Sequence, residues 1–209
     1  MAAGSQLGEV IARTVAEIRR VSEGFERVYV MFSGGRDSLV ALHLTVTALG
    51  LDRVEALFID TGIATPGLPE YVRDTCSLMD VKLNVVKPKY DYFELVLRKG
   101  FPTITRRWCK EFLKLRPLKE WLSTINGKKI LLVTGVRADE SWMKSKAEKL
   151  YNHPLLGVPT YAPILEWSSE HVKAYIKLYG LKENPLYERY GKAYDCWCSV
   201  YKSPADFAL

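Results

Sequence analysis

Glutamine and asparagine are nearly missing from this chain, with one and four copies among 209 residues. A composition so poor in thermolabile amides leans toward a heat-adapted source. Cysteine is scarce too: Cys76, Cys109, Cys196 and Cys198 are too few to knit a disulfide scaffold. The longest apolar runs, such as Ile130–Val133, fall far short of what crosses a bilayer. Met1–Gly8 lacks the basic segment and apolar core of a secretory signal. Repeats, low-complexity tracts and Ser/Gly linkers are absent as well. With 48% apolar and 26% charged residues, the composition excludes disordered and fibrous classes. The expectation is a soluble, cytoplasmic protein without a membrane partner. Residues 1–209 read as one unit, with a core over about 25–165 and a capping segment over about 166–209.

Charge is present in excess of one sign. Thirty Lys and Arg against twenty-four Asp and Glu give a net +6. Residues Arg106–Leu150 alone hold twelve basic and five acidic side chains, about +7, so the rest sums to about −1. A localised positive field favours an anionic ligand, either a polyphosphate nucleotide or a nucleic-acid backbone. The plainer reading is a solvated basic helix face.

Apolar spacing organises the chain. Leu7, Val10, Ile11, Val15 and Ile18 recur at helical intervals and predict an opening helix. Val28–Phe32, Val54–Ile59, Lys82–Val86 and Ile130–Thr134 read as strands, with helices over Asp37–Leu49, closed by Gly50, and Pro69–Met79 between them. Ser168–Tyr179 is a further helix with Ser168 or Ser169 as N-cap and Gly180 past its end. Such alternation predicts an α/β fold of the doubly wound, Rossmann-like type. It consists of a mainly parallel five-stranded sheet with helices on both faces, plus a C-terminal helix and loop segment.

The sharpest motif is Ser33-Gly34-Gly35-Arg36-Asp37-Ser38, placed after a strand and before a helix. Two glycines let the backbone turn tightly and approach a ligand. The helix start offers unpaired N–H groups and a positive dipole end to phosphate. Ser33 and Ser38 add hydroxyls, and Asp37 can cap the helix or help hold Mg²⁺. The string fits neither a Walker A loop nor G-x-G-x-x-G. It resembles the PP-loop of the adenine-nucleotide α-hydrolase superfamily, which includes ATP pyrophosphatases and sulfonucleotide reductases. Those proteins usually carry Lys where Arg36 stands.

Further blocks, in order, resemble the phosphoadenosine phosphosulfate (PAPS) reductase family. They are Phe58–Gly62, Arg106–Cys109 with Lys114 and Pro117-Leu118, Thr134–Ser141, and Pro163-Ile164 through Tyr187. The resemblance covers about residues 28–200 and implies an enzyme that acts at the sulfate end of PAPS or adenylylsulfate. It implies a nucleotide site made of Ser33, Gly34, Gly35, Arg36, Asp37, Ser38, Asp60, Thr61, Gly62, Gly135 and Arg137. Arg137, Asp37 and Lys114 are the residues expected to take part in catalysis. Arg106, Arg107, Lys110 and Lys114 form the expected anion clamp, although each also reads as a solvated charge. Arg137 likewise reads as a surface ion pair with Asp139 or Glu140. Replacing Arg137 or Ser38 with Ala is expected to weaken nucleotide binding and leave stability nearly intact.

Some of the family pattern is missing. Reductases that use adenylylsulfate hold an iron–sulfur cluster with a Cys-Cys pair and a later C-x-x-C, whereas this chain has Cys109 alone and Cys196-Trp197-Cys198. Cys109, Cys196 and Cys198 suit a 4Fe-4S cluster with an open iron site, zinc with a non-cysteine fourth ligand, or no metal at all. The family's nucleophilic Cys in a C-terminal Glu-Cys-Gly motif is not found here, so either the chemistry differs, or Cys196 or Cys198 substitutes, or the chain is a fragment. An alternative is therefore an ATP pyrophosphatase that adenylates a substrate with Mg²⁺, including an iron–sulfur-dependent sulfur transferase acting on RNA. A second alternative is a non-catalytic nucleotide-binding module. The partner expectations are a thiol or electron donor protein, an RNA substrate, and a second copy in a homodimer. Cys76 reads as core, His43 as part of the helix after the loop, and His153 and His171 as surface. Tyr187, Tyr190 and Tyr194 are candidates for a substrate mouth.

Overall fold

The computed structural model describes residues 2–125, 129–140, 148–191, 193–197 and 200, with the side chains of 2–5 and 140 excepted. Its centre is three strands whose residues are apolar in both registers: β1 (Arg27–Met31), β2 (Val54–Ile59) and β4 (Ile130–Thr134). Alternate residues leave the strands on opposite faces. Val28, Val30, Ala56, Phe58, Leu131 and Val133 join one buried cluster, while Tyr29, Leu57, Ile130 and Leu132 join another. Both faces therefore need a helical cover.

The first face is covered by α1 (Ala2–Val21), α2 (Arg36–Leu49), α3 (Leu68–Leu78) and α7 (Ser169–Tyr179). Ile18, Leu39, Leu42, Val72 and Tyr175 supply its buried side chains. The second face is covered by α6 (Arg116–Thr124) through Leu118 and Leu122, with Trp121 edge-on to Tyr29 at 5.0 Å. Strands β3 (Leu83–Val86), β5 (Leu150–Asn152) and β6 (Pro159–Tyr161) complete one sheet in the order β3-β2-β1-β4-β6-β5. The doubly wound, mainly parallel arrangement is as expected. The strand count is six rather than five because Leu150–Asn152 pairs antiparallel with β6 at the edge. Three residues are too few for alternation to register as a strand.

Local signals place most ends. Ser168 accepts from the His171 amide, His171 Nδ1 accepts from the Ser168 amide, and left-handed Gly180 stops α7. His171, read from the sequence only as a surface residue, is half-buried and has this capping role. His43 on α2 meets the Tyr175 hydroxyl at 2.7 Å, and burial lowers its pKa. Cys76 is buried on α3, as expected, and burial pushes its thiol up to about 11. Helices α4 (Tyr92–Lys99) and α5 (Trp108–Lys110) then lead through a π-helical turn, Glu111–Leu115, into α6. Wide turns of this kind recur at functional sites. Here the turn carries Lys114.

β1 has β2 on one side and β4 on the other. The chain therefore reverses its direction of travel across the sheet beside β1, and the crevice at the carboxyl ends there is where doubly wound folds take ligands.

Candidate nucleotide site

The Ser33–Ser38 segment leaves β1 through buried Phe32 and enters α2 at Arg36. Gly34 sits at φ +79°, and a Cβ there would lie 2.4 Å from Leu68 Cδ1 and 3.3 Å from Val72 Cγ2 of α3. Backbone conformation and close packing both require glycine. Ser38 donates to the Gly35 carbonyl at 2.9 Å, and its hydroxyl is 3.1 Å from that of Ser33. The two serines thus meet, as the motif implied. Asp37 is not the cap. Gly35 occupies that position with no side-chain hydrogen bond to the first turn. Asp37 instead turns sideways to Arg137.

Arg137 follows β4 and is buried, with 9% of its surface exposed. Its Nε donates to Asp37 at 2.8 Å, and its Nη1 donates to Asp139. Burial alone would lower its pKa, but the two carboxylates outweigh that and raise it. The ion pair with Asp139 exists, on a half-exposed carboxylate of the same loop, while the pair with Asp37 ties this loop to the start of α2. The geometry gives a reason to expect a stability cost from Arg137→Ala as well, because the change leaves Asp37 and Asp139 without their cation. Gly135 is part of the same junction. A Cβ on it would fall 2.5 Å from the Ser38 amide and 2.6 Å from the Asp37 carbonyl carbon. The loop after β4 therefore packs backbone to backbone against the first turn of α2.

A third segment closes over the loop. Asn184 donates to the Gly34 carbonyl at 3.1 Å and accepts from the Leu186 amide at 3.0 Å, at the start of α8 (Leu186–Tyr190). Tyr187 accepts from the Arg36 amide at 3.2 Å, and the Arg36 guanidinium lies 3.9 Å from the Tyr187 ring centroid. Arg36 also donates to Glu183 at 2.7 Å. Tyr187 is thus a brace on the loop rather than only a wall of a mouth. Glu183 and Asn184 are site residues that motif reading missed. Their one signal was the run Asn184–Tyr187, which carried a resemblance but no role.

After β2, Asp60 accepts from the Gly62 amide at 3.2 Å and faces Lys87 at 3.6 Å. Thr61 is buried, and its hydroxyl makes no hydrogen bond among the described residues. It lines a cavity of about 220 Å³ together with Arg107, Cys109, Lys110, Lys114, Asp195 and Cys196. A smaller space of about 130 Å³ lies at the ends of β1 and β2, between Phe32, Ser33, Phe58 and Ile59, and is bounded by the same Lys114 and Asp195. Those two residues form an ion pair. Three of the four clamp residues therefore reach one cavity. Arg106 does not, and its side chain is exposed on the outer face.

Cys109 and Cys196 come together on this cavity from positions 87 residues apart. Cys198 lies outside the described residues, as does Ser141. Among the described residues no group of three His, Cys, Asp or Glu side chains could hold a metal. Among the described residues the thiols on the cavity are Cys109 and Cys196, fewer than a cluster or a zinc site needs. Asp37, the loop's carboxylate, accepts from Arg137 through Oδ1. His153 accepts from two amides of its own turn, and no histidine lines the crevice or the cavity. No helix among the described residues is long and apolar enough to cross a membrane.

Similarity to known proteins agrees with this geometry. The family model of the phosphoadenosine phosphosulfate reductase domain matches residues 27–200. An adenosine 5'-phosphosulfate reductase of Streptomyces coelicolor is 29% identical over 190 residues, covering 88% of this chain and 75% of that protein. An uncharacterized protein of Methanocaldococcus jannaschii is 34% identical over 163 residues, covering 78% of this chain. The chain spans only 34% of that relative's length, and 42% of a second relative from the same organism. Among solved structures, a PAPS reductase from Candida auris in a phosphate complex superposes with a TM-score of 0.67 at 21% identity, covering 87% of each chain. An FMN adenylyltransferase from Candida glabrata superposes with a TM-score of 0.66 at 15% identity, covering 90% of this chain and 62% of that one. Matched by that family model over residues 27–200, the chain belongs to the phosphoadenosine phosphosulfate reductase domain family.

Proposed function

We propose that the chain binds adenylylsulfate or PAPS, with the phosphate on Ser33–Ser38 and the sulfate end directed into the cavity of Cys109 and Cys196. In this reading it acts as a sulfonucleotide reductase, and residues 1–209 work as one nucleotide-binding unit. One observation carries the proposal. Lys114 and Asp195 bound both the crevice at the strand ends and the thiol cavity, so a ligand in the first space reaches the second across a single ion pair.

The chemistry follows from the side chains. The first-turn amides of α2 and the hydroxyls of Ser33 and Ser38 hold the phosphate, and Arg137 keeps Asp37 and the loop in place. Lys114, Lys110 and Arg107 neutralise the sulfonate and the phosphate that leaves. The thiolate of Cys196 or Cys109 attacks sulfur, forming an S–S bond as the sulfur–oxygen bond breaks and the nucleotide phosphate departs with the electron pair. The second thiolate then attacks the sulfonated cysteine sulfur and expels sulfite, leaving a disulfide. An external dithiol returns that disulfide to two thiols and is itself oxidised.

Calorimetry with PAPS, adenylylsulfate and ATP tests the reading. At least tenfold tighter binding of one sulfonucleotide than of ATP is expected. The double variant Cys109→Ser, Cys196→Ser is expected to bind that sulfonucleotide normally and release no sulfite. A clear preference for ATP transfers the assignment to an ATP pyrophosphatase, and sulfite release by the double variant removes the thiol step.

A further inference from the structure

The outer rim of the thiol cavity is built unlike the rest of the surface. Helix α4 exposes Phe93 and Leu97 one turn apart, and the chain beyond it exposes Phe101 and Ile104. Phe101 is 71% and Leu97 89% exposed. This stretch is not loose. Asp91 caps α4 by accepting from the amides of Phe93 and Glu94, Trp108 donates to the Gly100 carbonyl, and Trp108 stacks on Tyr92. Exposed Trp197 reaches the same rim from the closing segment, with its ring 6.4 Å from that of Phe93 and its amide donating to the Ile63 carbonyl. Its neighbour Cys196 lines the cavity, as do Arg107 and Lys110.

The rim is also basic. Residues 87–110 carry seven Lys and Arg against Asp91 and Glu94 alone. Lys87 faces Asp60, Lys89 pairs with Glu120, and Lys99 lies over the Phe112 ring. Arg98, Arg106 and Lys110 form no ion pair among the described residues. Rigid, exposed aromatic faces interleaved with such cations are what a flexible polyanion with planar bases needs: stacking from the rings and neutralisation from the cations. A second copy of this chain is a poor occupant, because a symmetric contact would set these cations against one another. We infer that this face binds a single-stranded nucleic acid, laid across Phe93, Phe101 and Trp197 and held by Arg98 and Arg106.

The inference goes beyond the nucleotide reading and holds whichever nucleotide the loop takes. The test is fluorescence anisotropy of the full chain with a labelled single-stranded RNA of about 12 nucleotides. A duplex of the same sequence and a salt series are run beside it. Saturable binding that prefers the single strand and weakens as salt rises is expected. Phe101→Ser and Phe93→Ser should each weaken it roughly tenfold. Arg98→Ala should lower the slope of log K against log salt by about 0.7. Phe101 and Arg98 line neither the crevice nor the cavity, so calorimetric nucleotide binding in Phe101→Ser and Arg98→Ala should match the parent chain. Failure of the nucleotide assignment is therefore visible separately. Absence of RNA binding at low salt, equal affinity for duplex and single strand, or parent-like affinity in all three variants would each overturn the inference. So would a dimer in sedimentation that excludes RNA and dissociates in Phe101→Ser.

Discussion

The two ends of the proposed ligand path are built in opposite ways. Around Ser33–Ser38 the chain is over-determined. Gly34 is wedged against α3, Gly135 against the first turn of α2, Arg137 between two carboxylates, and Asn184 and Tyr187 against the loop backbone. Around the thiol cavity the walls come from a π-helical turn, a short helix and the closing segment, and the rim leaves aromatic side chains in water. A phosphate group has one shape, and a preorganised cradle for it is best made rigid. Reaction partners differ in shape, so the part that meets them is where loops and exposed groups accumulate. The common part of the substrate is therefore expected at the rigid end and the variable part at the open end.

That contrast can be broken at its strongest point first. Gly135→Ala pushes a methyl into backbone that cannot give way, since the Ser38 amide would lie 2.5 Å from the new carbon. A loss of about 3 kcal/mol in denaturant unfolding is expected, with nucleotide binding falling in step. A parent-like midpoint would show that the junction is not rigid. Arg137→Ala comes next. It leaves Asp37 and Asp139 facing each other without their cation, at a cost of about 2 kcal/mol, reduced because Asp139 is half exposed. Its nucleotide affinity should drop even under conditions where the variant is fully folded. Unchanged stability would return Arg137 to a role at the ligand alone.

How far this was legible in the sequence follows the same division. β1, β2 and β4 announce themselves because both faces are buried, which makes their sequences almost wholly apolar, with Glu55 of β2 as an exception. Ser33–Ser38 announces itself because its glycines and serines sit at a strand-to-helix joint. Arg137 was legible as a cation but not as a tie, since Asp37 is 100 residues away. The Asn184 and Tyr187 braces act across 150 and 151 residues, and no local pattern encodes a contact at that separation. Cys109 and Cys196 stood out by type, while the cavity that joins them depends on a π-helical turn with no compositional signature. Arg106 shows the converse. Its place in a basic block suggested a clamp, but it is exposed and is not among the residues that line the cavity.

Arg36 offers the smallest and most informative test of the rigid end. Its side chain is held by Glu183 and the Tyr187 ring, with both partners of the ion pair about one third exposed, at 30% and 31%. A pair this open to water contributes about 0.5 kcal/mol. If Arg36 must leave Glu183 to meet a phosphate, that contribution opposes ligand binding. Glu183→Gln removes the charge and keeps the shape, so nucleotide affinity should rise about twofold while stability falls by about 0.5 kcal/mol. The Arg36→Ala variant, measured beside it, should lose affinity in both backgrounds. If Glu183→Gln instead weakens binding, the Arg36–Glu183 pair is part of the productive cradle. The closing segment would then belong to the rigid end in function as well as in packing.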